Sequence, residues 1–229
     1  MYLSSWTICP IYIEKFLRKV LRQQIQILQN IVSRKGSSKI LTFSIPHVFK
    51  ALQLLYQDKF VSRSKFCKEL HLGEGAIKTL ILHLKNVEMV KTTKSGTILT
   101  VKGKKFSETL AKVIKKECQI NKCKIAPSKF NHAVILKNYS FAIKTGLEQR
   151  DYAILYGSSR CITLIYKNNQ FVFPGEDLDC LKEDLVTRQK LVDNLSPEEG
   201  DVIIVSSSND PFVSEVSAKN SALWTLATG

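Results

Sequence analysis

Gly73-Glu74-Gly75-Ala76-Ile77-Lys78-Thr79-Leu80-Ile81-Leu82-His83-Leu84-Lys85 is the stretch on which the fold of this chain turns. His71 to Gly75 reads as a short Gly-bearing turn, and Ala76 to Asn86 as a helix. At 100° per residue, Ile77, Leu80, Ile81 and Leu84 fall on one side and are expected to face a core. Gly75, Lys78, Thr79, Leu82, His83 and Lys85 are left toward the other side. That outward set suits a DNA major groove, where Lys reaches phosphate or guanine acceptors and Thr reaches a base or phosphate. An ordinary solvated helix face would carry the same residues.

Working outward, Pro46 fits the first turn of an upstream helix whose apolar face is Val48, Ala51, Leu52, Leu54 and Leu55. A second helix starts at Ser62 or Ser64, either serving as N-cap, and carries Phe66 and Leu70. Downstream, the β-branched runs Met89 to Thr93 and Thr97 to Val101 flank the turn Lys94-Ser95-Gly96. Three helices followed by a basic-tipped hairpin resemble the winged helix-turn-helix of bacterial and archaeal transcription regulators, over residues 46–103. The resemblance implies that the third helix reads the major groove and that the wing, with Lys91 and Lys94, approaches the backbone or minor groove. Winged helices also mediate protein contacts, so the fold alone leaves the ligand open.

Charge separates the chain into two halves. Of its 229 residues, positions 1–126 hold 24 Lys and Arg against 7 Asp and Glu, a net of +17, whereas positions 127–229 hold 10 against 13. A basic half joined to a slightly acidic one suggests a polyanion-binding module fused to something else. The 44% hydrophobic content excludes wholesale disorder. No run approaches the length of a membrane-spanning helix, so no membrane partner is expected. The six cysteines follow no secretory signal and are read as cytoplasmic thiols; Cys118 and Cys123 lack a second pair at zinc-site spacing. No metal or cofactor is expected.

Ile11 to Val32 reads as an amphipathic helix carrying Ile13, Phe16, Leu17, Val20, Leu21, Leu28 and Ile31, interrupted by Gln24, and Ser33 to Ser38 as a linker. The helix is either packed on its own domain or an arm for dimerisation or nucleic acid. Lys104 to Glu117 reads as a further helix, and Gln119 to Lys129 as a boundary. The expected organisation is therefore α+β: a helical extension over 1–40, the winged helix-turn-helix domain over 41–126, and a small mixed α/β domain over 127–229.

In the last third, strands are expected at His132–Leu136, Cys161–Tyr166 with Gln170–Phe173 as a hairpin, and Asp201–Val205. Helices are expected at Gly146–Tyr156, Leu178–Val192 and Pro211–Leu226. Two places carry candidate ligand-binding residues. Arg150 and Asp151 share a helical side with the apolar Leu147 and Ile154, and there need either a ligand or protein partners. Ser206, Ser207, Ser208, Asn209 and Asp210 follow a buried strand and precede a helix that Asp210 caps and Pro211 opens. That is where ligands of α/β domains gather, although a well-capped connection would look the same.

The segments Lys144 to Ile154, Thr163 to Lys167, Phe173-Pro174-Gly175 and Pro197 to Asp201, behind a winged helix, resemble an uncharacterised archaeal family of two-domain proteins, over about residues 45 to 227. That resemblance implies the domain layout and no active site. Three functions stand side by side. The first is a regulator that binds double-stranded DNA, acting as a homodimer and responding to a small-molecule effector. The second is an enzyme similar to the archaeal CTP-dependent riboflavin kinases, which Pro174-Gly175 resembles for two residues before Glu176-Asp177-Leu178 departs; a Cys-His pair such as Cys161 with His132 is a separate catalytic candidate. The third is a non-enzymatic module for RNA or protein.

Overall fold

The computed structural model describes residues 10–33 and 41–229, with side chains from Arg18 onward. The expected linker therefore lies mostly outside the described residues. Helix α1 (Pro10–Val32) buries Leu21, Ile25, Leu28 and Ile31 and packs on the body of its own chain, against α2, α4, α5 and the last helix. Ile25 takes the place in the stripe next to the half-buried Gln24.

Helices α2 (Ile45–Gln57), α3 (Arg63–Leu70) and α4 (Glu74–Asn86) lead into the hairpin β1 (Val90–Thr93) and β2 (Gly96–Leu99). Local chemistry sets each boundary. Pro46 sits in the first turn of α2, Ser62 caps α3 by accepting from the Lys65 N–H, and His71 ends α3 in the left-handed region at φ 52°. Gly73 caps α4, which begins two residues earlier than its sequence pattern indicates because Glu74 and Gly75 both fit a helical first turn. Val61 exchanges two backbone hydrogen bonds with Thr97, each 2.9 Å, and so ties the hairpin to the α2–α3 connection. A Cβ at Gly96 would lie 2.7 Å from the Val61 carbonyl oxygen, so that tie requires glycine.

Helix α5 (Val101–Val113) is capped by Thr100 and stops four residues before the expected end. Ile114 instead opens strand β3 (Ile114–Ile120), whose run of Lys, Glu and Cys beside Ile suits a sheet edge as well as a helix. β3 belongs to a five-stranded sheet with β4 (Phe130–Leu136), β5 (Arg160–Lys167), β6 (Gln170–Val172) and β7 (Val202–Ser208). The strand order is β3-β4-β7-β5-β6 and every pairing is antiparallel. Asn168 and Asn169, both at positive φ, make the β5–β6 turn. The sheet thus begins before position 127, inside the stretch read from sequence as helix and boundary.

Helix α6 (Leu147–Ile154) and helix α8 (Pro211–Thr228) cover one face of the sheet, and α7 (Leu185–Leu195) covers the other. Residues 178–184, expected in helix, are irregular, with Asp179 bridged to Val172, and α7 begins only after Asp184, whose side chain accepts from the Thr187 N–H. α8 is enclosed on nearly all sides: eleven of its residues are buried, and it touches β4, β7, α1, α2 and α6. Its Ser and Ala side chains are small enough for neighbours to approach all round.

One charged side chain is buried in that helix. The Lys219 ammonium lies 2.8 Å from Glu117 Oε1 of β3 and 2.9 Å from Glu215 Oε1, and also donates to Gln53 of α2. Burial pushes the Glu117 carboxyl up, but Lys219 and His132 outweigh it and hold the group at about 2. Replacing Lys219 by Met is expected to cost about 3 kcal/mol, measured by urea unfolding, because two half-buried carboxylates lose a shared cation and only Glu215 retains another, Lys50. Glu117 adds a pH signature. Its folded value lies below the unfolded one, so its contribution is complete above about pH 4.5 and disappears as pH falls toward 2. A Glu117→Gln variant should lack that part of the acid limb.

Candidate functional site

On α4 the structure separates the outward residues into two groups. Ile77, Leu80, Ile81 and Leu84 are buried as expected, and Lys78, Leu82 and Lys85 form an exposed stripe at i, i+4 and i+7. Leu82 is 55% exposed. His83 points elsewhere. Its Nδ1 lies 2.6 Å from the Ile31 carbonyl of α1 and its ring meets Phe43 edge-on at 5.7 Å. The expectation that His83 faces DNA is corrected: α1 covers that flank. Thr79 is half-buried and spends its hydroxyl on the Gly75 carbonyl at 3.0 Å. Lys91 and Lys94 are exposed on the hairpin. Among the described residues, Lys78, Lys85, Lys91 and Lys94 hold no ion pair.

The sequence reading of α6 is inverted. Gln149 and Ala153 are its buried residues, while Leu147 and Ile154 are about half exposed. Gln149 turns inward, where its side-chain amide donates to Thr225 Oγ1 and its backbone carbonyl accepts from Ser221, both on α8. Arg150 and Asp151 consequently face solvent, where Nε and Nη2 of the guanidinium donate to Asp151 Oδ1 at 3.2 and 3.0 Å. Their partner is each other, and the apolar side that made them look buried is outside.

The serines do not form a loop. Ser206, Ser207 and Ser208 are buried in β7, the central strand, between β4 and β5. Ser206 donates to Ser158 at 2.8 Å, the Ser207 carbonyl accepts from Ser158 and Ser159, and Ser208 Oγ accepts from the Asp210 N–H. Asn209 is exposed, and Asp210 caps α8 by accepting from Val213 at 2.8 Å. The rule that places ligands beyond the carboxyl ends of strands belongs to parallel sheets, and this sheet has none.

His132 and Cys161 both pair with Ser206, so the central strand stands between them, roughly 10 Å across two strand spacings. Burial pushes the Cys161 thiol up to about 12, and a Ser221 hydrogen bond only partly offsets this, so no thiolate forms at neutral pH. His132 Nε2 lies 3.2 Å from Glu117.

A contact that sequence reading missed joins the sheet to the helix-turn-helix. Phe212, in the first turn of α8, stacks on His71 at 4.2 Å and 6°, packs against His47 at 5.6 Å, and lies under the Lys50 ammonium at 5.0 Å. Lys50 also pairs with Glu215 at 2.7 Å. His71 is the cap residue of α3, immediately before the turn into α4. The signal for this contact lay in nonlocal pairing, which periodicity does not register.

The class these features define is an α+β protein in which a winged helix-turn-helix is packed on an antiparallel sheet unit. Residues 127–226 match a family model described as a domain of unknown function, DUF4443. Among solved structures, the chain is similar to the hypothetical protein PH0730 from Pyrococcus horikoshii OT3, at a TM-score of 0.61 and 24% identity. That likeness covers 80% of this chain and 91% of that one, and it establishes the fold. A MarR family protein of Mycobacterium tuberculosis, RV2887, in complex with p-aminosalicylic acid, matches at a TM-score of 0.27 and 18% identity, over 45% of this chain and 76% of that one. No curated protein matches. No described helix is long and apolar enough to cross a membrane.

Two outcomes check this geometry. His83→Ala is expected to lower stability by about 1 kcal/mol through its lost hydrogen bond, whereas Lys78→Ala should stay within about 0.5 kcal/mol of wild type in urea unfolding. The second concerns His47, which burial, Lys50 and His71 lower to about 4. The folded state therefore favours the neutral ring, so its contribution is complete above about pH 6.5 and is lost as pH falls toward 4. His47→Gln should flatten the stability profile in that window and leave the lower Glu117 window in place.

Proposed function

We propose that this protein is a DNA-binding transcription regulator, in which the winged helix-turn-helix docks on double-stranded DNA and the sheet unit senses a small-molecule effector or joins two copies as a homodimer. The observation that carries this reading is the exposed stripe Lys78, Leu82 and Lys85 on α4, set beside a wing bearing Lys91 and Lys94, with all four lysines outside any ion pair among the described residues. Free ammonium groups release counterions when they meet phosphate, and an exposed Leu offers contact to a thymine methyl. Thr79 contributes through its methyl group, since its hydroxyl is spent on Gly75. His83 has its place against α1 and is left out of the interface. The acidic balance of residues 127–229 supports assigning phosphate contact to the N-terminal half alone.

Fluorescence anisotropy on a duplex across a salt series tests this. Each of Lys78→Ala, Lys85→Ala, Lys91→Ala and Lys94→Ala should flatten the plot of log K against log salt by about 0.9 per lost contact. Four unchanged slopes, or preferential displacement of the duplex by RNA, would overturn the reading.

A further inference from the structure

Three separated segments meet beside the start of α6: Thr145-Gly146-Leu147, residues 161–163 of β5, and Phe173-Pro174 with Glu176 after β6. They enclose an open recess of about 220 Å³ that Arg150 also lines. We propose that this recess binds a small apolar monocarboxylate.

Two independent observations carry the site. The first is Thr163, only 3% exposed, whose hydroxyl has no hydrogen-bond partner. A buried hydroxyl left unsatisfied costs about 1 to 3 kcal/mol, and a bound acceptor oxygen removes that cost. The second is the N-terminus of α6 directly beside it. Gly146 caps this helix at φ +77° and offers no side chain to the first-turn amides. A Cβ at Gly146 would stand 3.4 Å from Thr163 Oγ1 and 3.6 Å from Pro174 Cγ, so the glycine keeps open the space between hydroxyl and helix end. The Leu147 N–H already donates to Thr145 Oγ1 at 3.4 Å, so the Glu148 and Gln149 amides and the uncommitted Thr163 hydroxyl are the donors that converge on one acceptor.

The charges select the ligand. Asp151 occupies Nε and Nη2 of Arg150, which leaves Nη1 uncommitted among the described residues. Glu176 lines the same recess and Glu148 lies in the first turn of α6, so a single negative charge is accommodated better than the two of a phosphate. Leu147, Ile162, Phe173 and Pro174 supply the apolar wall for a short hydrocarbon tail. This site deepens the sensor half of the function proposed above and rests on that reading only for its effect on DNA; ligand binding itself does not.

Titration calorimetry on the full chain without DNA is the test, with isovalerate as probe, its amide as the neutral match and inorganic phosphate as the dianion. Isovalerate is expected to bind saturably and the amide about tenfold more weakly. Thr163→Val keeps the shape and removes the unsatisfied hydroxyl. It should leave thermal stability unchanged or higher while weakening isovalerate about tenfold, a combination that mere damage to the fold does not produce. Arg150→Gln should weaken the acid and leave the amide unchanged. No saturable isovalerate binding below about 10 mM, or full affinity in Thr163→Val, would overturn the site. Tighter binding of phosphate with the same dependence on Thr163 and Arg150 would overturn the ligand class. Because DNA is absent, failure of the DNA-binding reading leaves each of these results interpretable.

Discussion

The buried ammonium of Lys219 is the constraint around which the two units are arranged. A lysine that is 1% exposed requires acceptors for all three protons, and no single element supplies them. Gln53 comes from α2, Glu117 from β3, and Glu215 from one turn earlier in α8. The winged unit, the edge of the sheet and the last helix must therefore arrive together before the charge can leave water. The partners also cross the charge boundary of the chain. Lys219 and Glu215 belong to the acidic half, Glu117 and Lys50 to the basic half, and each ion pair between halves joins opposite signs. Such a cluster adds little net stability over an apolar core, but it penalises any other relative placement of the units strongly.

The winged helix-turn-helix was legible in sequence because each of its boundaries is set within a few residues. Ser62 caps α3 from three residues away, Pro46 fixes a first turn, and Ile77, Leu80, Ile81 and Leu84 repeat at helical spacing on a face that is in fact buried. What failed there was nonlocal. His83 lies on the outward side of α4 by angle, yet α1 is folded over it, and no periodicity within α4 encodes the position of a helix fifty residues earlier.

In the second unit, hydrophobic pattern misled for a definite physical reason. α6 presents Leu147 and Ile154 outward and turns Gln149 inward, where its side-chain amide donates to Thr225 Oγ1 and its backbone carbonyl accepts from Ser221 in place of water. β7 continues through three serines because Ser158, Ser159 and the Asp210 amide meet their polar groups within the sheet. Where polar side chains pair internally, hydrophobicity stops reporting burial. Strands β4, β5, β6 and β7 were legible from their apolar runs while β3 was read as helix and boundary, and such apolar runs usually indicate parallel strands. Here β4 and β7 are antiparallel and still apolar on both faces, since α8 covers one side and α7 the other.

α8 spans both regions of functional interest. Its first turn seats Phe212 against His71, the residue that ends α3 before α4 begins, and its last turns hold α6 through Ser221 and Thr225. From Phe212 to Thr225 is roughly 20 Å of continuous helix at 1.5 Å per residue. A helix enclosed on nearly all sides by close-packed side chains resists local bending. Displacing α6 therefore strains one end of a rod whose other end abuts the turn into α4, while Lys219 fixes its middle. In the proposed regulator, communication between the recess beside α6 and the exposed lysines of α4 would not require the core to deform. It requires only that α8 have a second position in which Phe212 and Lys219 keep partners, and the stacked His71 and the three-acceptor cage around Lys219 are the two contacts such a position must exchange.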